Sequence, residues 1–330
     1  MSGVSGSRSS VGFGELPAEP RVVTIGSFDG VHLGHVHLLR SAVARGRELG
    51  RATLAVTFEP LPPQVLRPDR FPGRICPVEE KLLRLSRSGV DRVVTLEFTR
   101  AFAQQTPEGF MAALAEATRL EELWVGEGFA LGKDRTGDVP RLRAIGADLG
   151  FRVVALPRVA AGGKVVSSSA IRGFVVAGDA AAARRALGRP FRVAGEVIHG
   201  AHFGRTIGFP TANVAPPPEL VPLADGIYAS RAFLPGDERP YPAMTYVGTR
   251  PTVNTGARQV ETHLLDFDGD LYGQTLTVDV LERLRADQTF PTVEEMVAQL
   301  RRDERDARDF HGSEPALGEA TRLTGSRAPC

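Results

Sequence analysis

The sequence predicts an α/β module followed by a β module. The first is a Rossmann-like, doubly wound parallel sheet; the second is a small antiparallel β-barrel with a C-terminal helix. Three observations predict this. Short apolar strands alternate with helical stretches from Arg21 to about Pro157. Beyond residue 188 the hydrophobic period falls from that of a helix to the two-residue alternation of strands. A chain of 330 residues is enough for about two domains.

In the first module, Val22–Ile25 is an apolar strand ending at Gly26, and the next helix runs from Leu33 to Leu49, stopped by Gly50. Ala52–Phe58 is a strand. Pro77 opens a helix at its favoured first position and carries it to about Ser88. Arg92–Leu96, Leu123–Gly126 and Phe151–Leu156 are strands, alternating with helices that start at Thr106-Pro107 and span Val139–Leu149. Ser167–Leu187 is helical and alanine-rich, with Asp179 placed to cap a second short helix after Gly178. Gly188-Arg189-Pro190 breaks it, so the boundary falls near residue 188. Gly226–Phe233, Tyr241–Val247, Gln259–Phe267 and the stretch around Leu276, Val278 and Val280 are barrel strands. Thr292 and Glu295 form a capping box for the last helix. The expected organisation is a disordered tail (1–20), a first domain (21–188), a second domain (189–310) and a flexible tail (311–330).

Composition narrows the function. With 40 Lys+Arg against 39 Asp+Glu the net charge is +1, which offers no bulk attraction for nucleic acid or an anionic membrane. No apolar run approaches the roughly 20 residues of a membrane span, and the N-terminus lacks the apolar core of a signal peptide. Cys76 and Cys330 read as free thiols, so a cytoplasmic location is expected. The 36 glycines and 24 prolines imply many turns, or loops that approach a ligand closely.

Two constellations carry chemistry. Gly26-Ser27-Phe28-Asp29-Gly30-Val31-His32-Leu33-Gly34-His35 follows the first strand and opens the first helix, where free N–H groups suit a phosphate. His32 and His35 share the first turn and can donate hydrogen bonds to triphosphate oxygens; Gly34 leaves room for a nucleotide. His37 is offset from the pair, which weakens a metal reading. The strand, the glycine-flanked turn and His-x-Gly-His together resemble the adenylyl-transfer signature of the nucleotidyltransferases. Ser167-Ser168-Ser169 with Arg172 one turn later suits β/γ-phosphates, while an N-cap is the plainer use of such serines. Gly126–Lys133 lies at a strand's carboxyl end, where a ligand or a simple turn would sit.

The second constellation, Gly200 to Asn213, is glycine-dense but lacks the Gly-Lys-Ser/Thr ending of a Walker loop. Its N–H groups can still wrap phosphates. Thr211 and Asn213 are hard oxygen donors of the kind Mg²⁺ accepts. Glu261, in a strand-like segment, is either a general base or a solvent-facing residue, and spacing alone leaves both open.

These segments, with Thr57-Phe58-Glu59-Pro60, Gly248-Thr249-Arg250-Pro251-Thr252 and Leu271-Tyr272-Gly273, resemble the prokaryotic bifunctional riboflavin kinase/FAD synthetase family over roughly residues 21 to 310. The resemblance implies a barrel that phosphorylates riboflavin to FMN, with Glu261 as base. Thr211 and Asn213 would hold Mg²⁺, and Gly200, Gly204, Arg205, Thr206, Gly208 and Pro210 would form a phosphate flap. It implies an N-terminal domain that joins FMN to AMP from ATP, giving FAD and pyrophosphate. His32, His35, Ser168, Ser169 and Arg172 would act there, with Gly26, Phe28 and Gly34 at the nucleotide and Phe58, Pro60 and Phe129 at the flavin. The implied partners are small-molecule flavins and nucleotides. The sequence departs from the family pattern at Leu61, Gly128, Leu131 and Ala170, all in the first module. A kinase with a degenerate or altered first module, and a flavin-binding regulator, are the competing readings.

Overall fold

The computed structural model describes residues 8–11, 16, 19–200, 203–237, 239–249 and 258–313. Ala201, His202, Arg250, Pro251, Thr252, Cys330 and most of both expected tails lie outside the described residues. The chain divides into two compact units. The first takes the chain up to Gly173, together with Arg185–Arg189 and Glu219–Pro222; the second takes Phe174–Arg184, Pro190–Pro218 and the chain from Leu223. A single cut near residue 188 does not describe them, because a short later segment returns to the first unit.

The first unit is built on strands β1 (Arg8–Val11), β2 (Arg21–Ile25), β3 (Ala52–Glu59), β4 (Arg92–Glu97), β5 (Leu120–Gly126) and β6 (Arg152–Leu156). They lie in the order β1-β4-β3-β2-β5-β6, with every pairing parallel. The chain moves outward from β2 through β3 to β4, then crosses to β5 and β6 on the other side. The carboxyl ends of β2 and β5 therefore flank the point where strand order reverses, which is where such sheets bind ligands. Strand β1 is a correction: residues 8–11, expected within a disordered tail, pair in register with Arg92–Thr95 at the sheet edge.

Helices follow their sequence signals closely. Helix α1 (Leu33–Leu49) ends at Gly50, whose φ of 64° is the left-handed cap that glycine adopts without cost. Helix α2 (Val78–Ser86) starts one residue later than expected and ends two earlier, so Pro77 is its cap and not its first residue. Helix α3 (Pro107–Thr118) is capped by the Thr106 hydroxyl, which accepts from Gly109 N at 3.1 Å. Helix α4 (Val139–Leu149) is capped by Asp138. Helices α5 (Ser168–Ala177) and α6 (Ala180–Leu187) follow, with Asp179 Oδ1 accepting from Ala182 N at 2.8 Å. One sheet face packs Val23, Leu54, Val94 and Leu123 against Met111, Leu114 and Leu142. The other packs Ala55 and Val93 against Leu39, Val43 and Leu85.

The second unit is a closed barrel of strands β7 (Phe191–Ile198), β8 (Ala212–Ala215), β9 (Gly226–Phe233), β10 (Tyr241–Thr249), β11 (Arg258–Leu264) and β12 (Thr275–Ala286), in the order β7-β8-β11-β10-β9-β12. Closure removes free edges. Val193, Val214, Val260, Leu276, Val278 and Val280 are among its buried side chains. A buried hydroxyl ladder links Ser230 to Thr245 (2.6 Å) and Thr245 to Thr262 (3.0 Å), so these three polar groups satisfy one another. Helix α7 (Val293–Ser313) contributes Val297, Leu300 and Ala307 to a cluster with Phe209, Ile227, Met244 and Leu265. The Thr292 hydroxyl accepts from Glu295 N at 3.2 Å, which is the N-cap half of the expected box.

Candidate active site

The first centre forms where β2 runs into α1. Gly30 and Val31 both take left-handed backbone (φ 76° and 38°), a sharp reversal that delivers His32 as the N-cap. A Cβ on Gly30 would sit 2.6 Å from the Ile75 side chain, so only glycine fits there. His32 Nδ1 accepts from His35 N at 3.3 Å, and the two rings stack with centroids 3.6 Å apart. An acceptor Nδ1 on a neutral ring puts the proton on Nε2, which makes Nε2–H the donor offered to a ligand. Burial, followed by the nearby Arg189 charge, pushes His32 down to about 4. Burial, then His32 and Lys81, hold His35 well below the ordinary histidine range. Both rings are therefore held neutral at pH 7. Phe28 is 1% exposed and meets His35 edge-on at 5.1 Å, so its ring lies beneath the histidines and only its backbone can face a nucleotide. His37 is exposed.

The serine-rich segment joins the same centre through Asp29, which sequence reasoning passed over. Ser168 Oγ donates to the Asp29 carbonyl (3.2 Å), and Arg172 Nη2 donates to its carboxylate (2.5 Å). Arg172 Nε donates to Gly73 O at 2.7 Å. Asp29 also accepts from Ile75 N, and burial raises its pKa in spite of Arg172. Ser169 is exposed.

A second group that the motifs did not reveal lies at the carboxyl end of β3. Arg74 grips Glu59 with two hydrogen bonds of 2.7 and 2.8 Å. Fully buried Lys81 reaches the same carboxylate at 2.5 Å and donates to Thr57 Oγ1 and Phe58 O. Burial works to raise the Glu59 pKa, but Arg74 and Lys81 leave it lowered. Lys81 stands one helical turn before buried Leu85 on α2, and a lysine on that apolar stripe was the available signal. Arg74 is held by the returning segment: its N–H donates to Glu219 O (2.7 Å), and a Cβ on Gly73 would collide with the Val221 backbone. The cations Arg74, Lys81, Arg84, Arg172 and Arg189 outnumber the carboxylates they pair with, Asp29, Glu59 and Glu80. That surplus favours a polyanion.

Beside this group, Phe58 packs edge-on against Phe98 and Phe102 at 5.7 and 5.9 Å, with Phe129 on the same cluster. Phe58 is 8% exposed and largely core, whereas Pro60 is exposed. At Gly128 a Cβ would sit 2.7 Å from an Arg158 guanidinium nitrogen, so a side chain from elsewhere occupies that space. Leu61 is buried and stands at the N-cap of the short helix Pro62–Leu66; Leu131 packs against the hydrophobic core of the sheet.

The second centre forms on the barrel. Register pairs Asn213 on β8 with Glu261 on β11, and Glu261 with Tyr246 on β10. Glu261 is 8% exposed, which removes the solvent-facing alternative. Thr211 Oγ1 donates to Glu261 Oε2 at 3.4 Å. Two glycines allow the loop before β8 to close in. A Cβ on Gly200 would meet the Asn213 amide at 2.5 Å, and one on Gly204 the Phe209 carbonyl at 2.3 Å. His263 Nδ1 bonds the Pro210 carbonyl at 2.7 Å. Arg205, Thr206, Gly208 and Pro210 are exposed on this loop. Among the described residues no cluster of three His, Cys, Asp or Glu could hold a metal ion by itself.

A family model described as FAD synthetase matches residues 16–170, and one described as riboflavin kinase matches residues 187–311. The chain is 39% identical over 299 residues to a bifunctional riboflavin kinase/FMN adenylyltransferase of Escherichia coli (strain K12), covering 90% of this chain and 95% of the relative. It is 38% identical to a protein of the same description from Pseudomonas fluorescens, covering 86% and 90%. A crystal structure of a macrolide-efflux protein from Streptococcus pneumoniae aligns with a TM-score of 0.82 at 29% identity, covering 91% of this chain and 98% of that one. Among the described residues no helix is long and apolar enough to cross a membrane.

Proposed function

The chain belongs to the bifunctional riboflavin kinase/FMN adenylyltransferase family, and from that premise and the geometry of the two centres we infer which residues carry each activity. It transfers a phosphoryl group from ATP to riboflavin, giving FMN, and joins FMN to AMP from a second ATP, giving FAD and pyrophosphate.

We place the kinase reaction at Glu261. The observation that supports it is a nearly buried carboxylate within reach of a hydroxyl and opposite an amide. A riboflavin hydroxyl must lose its proton as it attacks, and a positioned carboxylate accepts it. Thr211 and Asn213 offer hard oxygen donors and fit Mg²⁺ shared with nucleotide phosphates, where the ion would neutralise charge. The backbone N–H groups between Gly204 and Gly208 are placed to take those phosphates.

We place adenylyl transfer at His32 and His35. The FMN phosphate is already an anionic nucleophile, so the chain's task is to position it and stabilise charge. The His32 Nε2–H and the N–H groups of Leu33 and Gly34 at the start of α1 face the triphosphate, His35 N being taken by the His32 ring. Arg172 and the serines hold its outer phosphates. Phe58, Pro60 and Phe129 border the flavin ring. The protein works on free flavins and nucleotides in the cytoplasm.

The test is a product assay. Incubation with riboflavin, ATP and Mg²⁺ should yield FMN and then FAD, and FMN with ATP should yield FAD directly. FMN that accumulates without FAD at high FMN and ATP would remove the adenylyl assignment. Running CTP and GTP alongside reads nucleotide preference.

A further inference from the structure

Arg189 lies beyond the segment matched by the FAD synthetase family model, yet its side chain enters the first centre. Its Nη2 donates to the Gly30 carbonyl at 2.8 Å, in the left-handed turn that sets His32 as the helix cap. Its partner Glu80 (3.4 Å) is already engaged by Arg84 at 2.6 Å, so two guanidinium groups share one carboxylate and positive charge is left over. Its Nε is buried and has no hydrogen-bond partner among the described residues. A buried donor left open costs stability, so the guanidinium is held beside Gly30 at a cost that its own hydrogen bonds do not fully offset.

We propose that Arg189 is a positioning residue for adenylyl transfer, fixing the Gly30–His32 turn and lending its surplus charge to the nucleotide phosphates. The proposal rests on the placement of that reaction at His32 and His35. It means that the adenylyl centre is completed by a residue that the riboflavin kinase family model, not the FAD synthetase one, spans. The electrostatics agree: after burial, the Arg189 charge is the next cause of the low His32 pKa, and Arg172 and the stacked His35 are the other titratable groups facing that ring.

The experiment compares Arg189→Gln, Arg189→Lys and His32→Ala in the full chain, assaying FMN adenylylation and riboflavin phosphorylation separately. Arg189→Gln should lower kcat/KM for ATP in adenylylation about tenfold or more, leaving phosphorylation within about twofold. Arg189→Lys, which keeps the charge but loses the planar fork, should recover much of the ATP KM and less of kcat. The His32 ring, followed by NMR, should titrate at higher pH in Arg189→Gln. Adenylylation unchanged in Arg189→Gln while His32→Ala is impaired would overturn the role of Arg189 alone. Equal loss of both reactions in Arg189→Gln would also overturn it, as a sign of general damage. Unchanged adenylylation in His32→Ala would overturn the site assignment beneath it.

Discussion

On the proposed placement of the two reactions, the two centres handle the same nucleotide with different materials. Around His32 the first unit gathers buried guanidinium and ammonium groups and two neutral imidazoles. Around Glu261 the barrel offers a carboxylate, a hydroxyl and an amide. The difference follows the nucleophile. A phosphate monoester arrives charged, so its site needs donors and cations and a nearby free carboxylate would repel it. Thus Asp29 and Glu59 are engaged by Arg172, Arg74 and Lys81. A ribityl hydroxyl arrives neutral, so its site needs a group that takes a proton. The charge make-up of each centre therefore reports the protonation state of what attacks there.

The sharpest way to break this contrast is Glu261→Gln, which keeps size and hydrogen bonding but removes the base. Riboflavin phosphorylation should fall roughly a hundredfold or more, within the usual range for general-base loss, while FMN adenylylation stays intact. Chromatographic separation of the flavins reads both at once. Comparable loss in both reactions would mean that Glu261 supports folding and is no base.

His32→Ala and His35→Ala are the converse. On the proposed assignment each removes a donor for developing phosphate charge, and adenylylation should drop roughly a hundredfold with phosphorylation preserved. If either variant lost phosphorylation equally, the separation of roles would fail.

What the sequence made legible was what local spacing encodes. His32 and His35 sit at a helix start because a strand, a turn and a period of 3.6 say so. Alternation marked the strand of Glu261, although not that the neighbouring strands and cluster would leave it nearly buried. The cation network was hidden because its members meet only after folding. Arg189 and Gly30 are 159 residues apart in sequence, and Arg172 and Asp29 are 143 apart. The return of Glu219–Pro222 to hold Arg74 was equally out of reach. Strand β1 escaped because an edge strand of four residues in a Gly/Ser-rich stretch carries too little apolar pattern to read.

A smaller effect tests the neutrality of the histidines. Burial, reinforced by Arg189, takes His32 from its ordinary 6.5 to about 4 in the folded protein. Between those values the unfolded chain binds a proton that the folded protein refuses. The stability tied to this ring is thus fully present above about pH 6.5 and falls as pH drops towards 4, by up to about 3 kcal/mol. His35 adds in the same direction. Denaturant unfolding at about pH 7 and about pH 4.5 should show a steeper loss for the wild type than for His32→Asn. Matching slopes would mean that His32 takes up its proton as readily in the fold as in the unfolded chain, and the burial that holds the ring neutral in the first centre would go with it.

The mildest change concerns Gly128, where the family pattern has a polar side chain. Its backbone is not left-handed, so a side chain costs no φ strain there. The obstacle is the tip of Arg158, 2.7 Å from where a Cβ would stand, on a side chain that is largely exposed and can swing aside. Gly128→Asn should therefore fold normally and change the KM for FMN by no more than about threefold, since it exchanges one solvated polar group for another. Arg158→Ala alone should be similarly mild, because Gly128→Asn and Arg158→Ala act on one shared space. The double variant should not be additive. If Gly128→Asn instead raised adenylylation well beyond that range, the glycine would be limiting the flavin side of the first centre. The contrast between the centres would then include flavin contacts as well as charge.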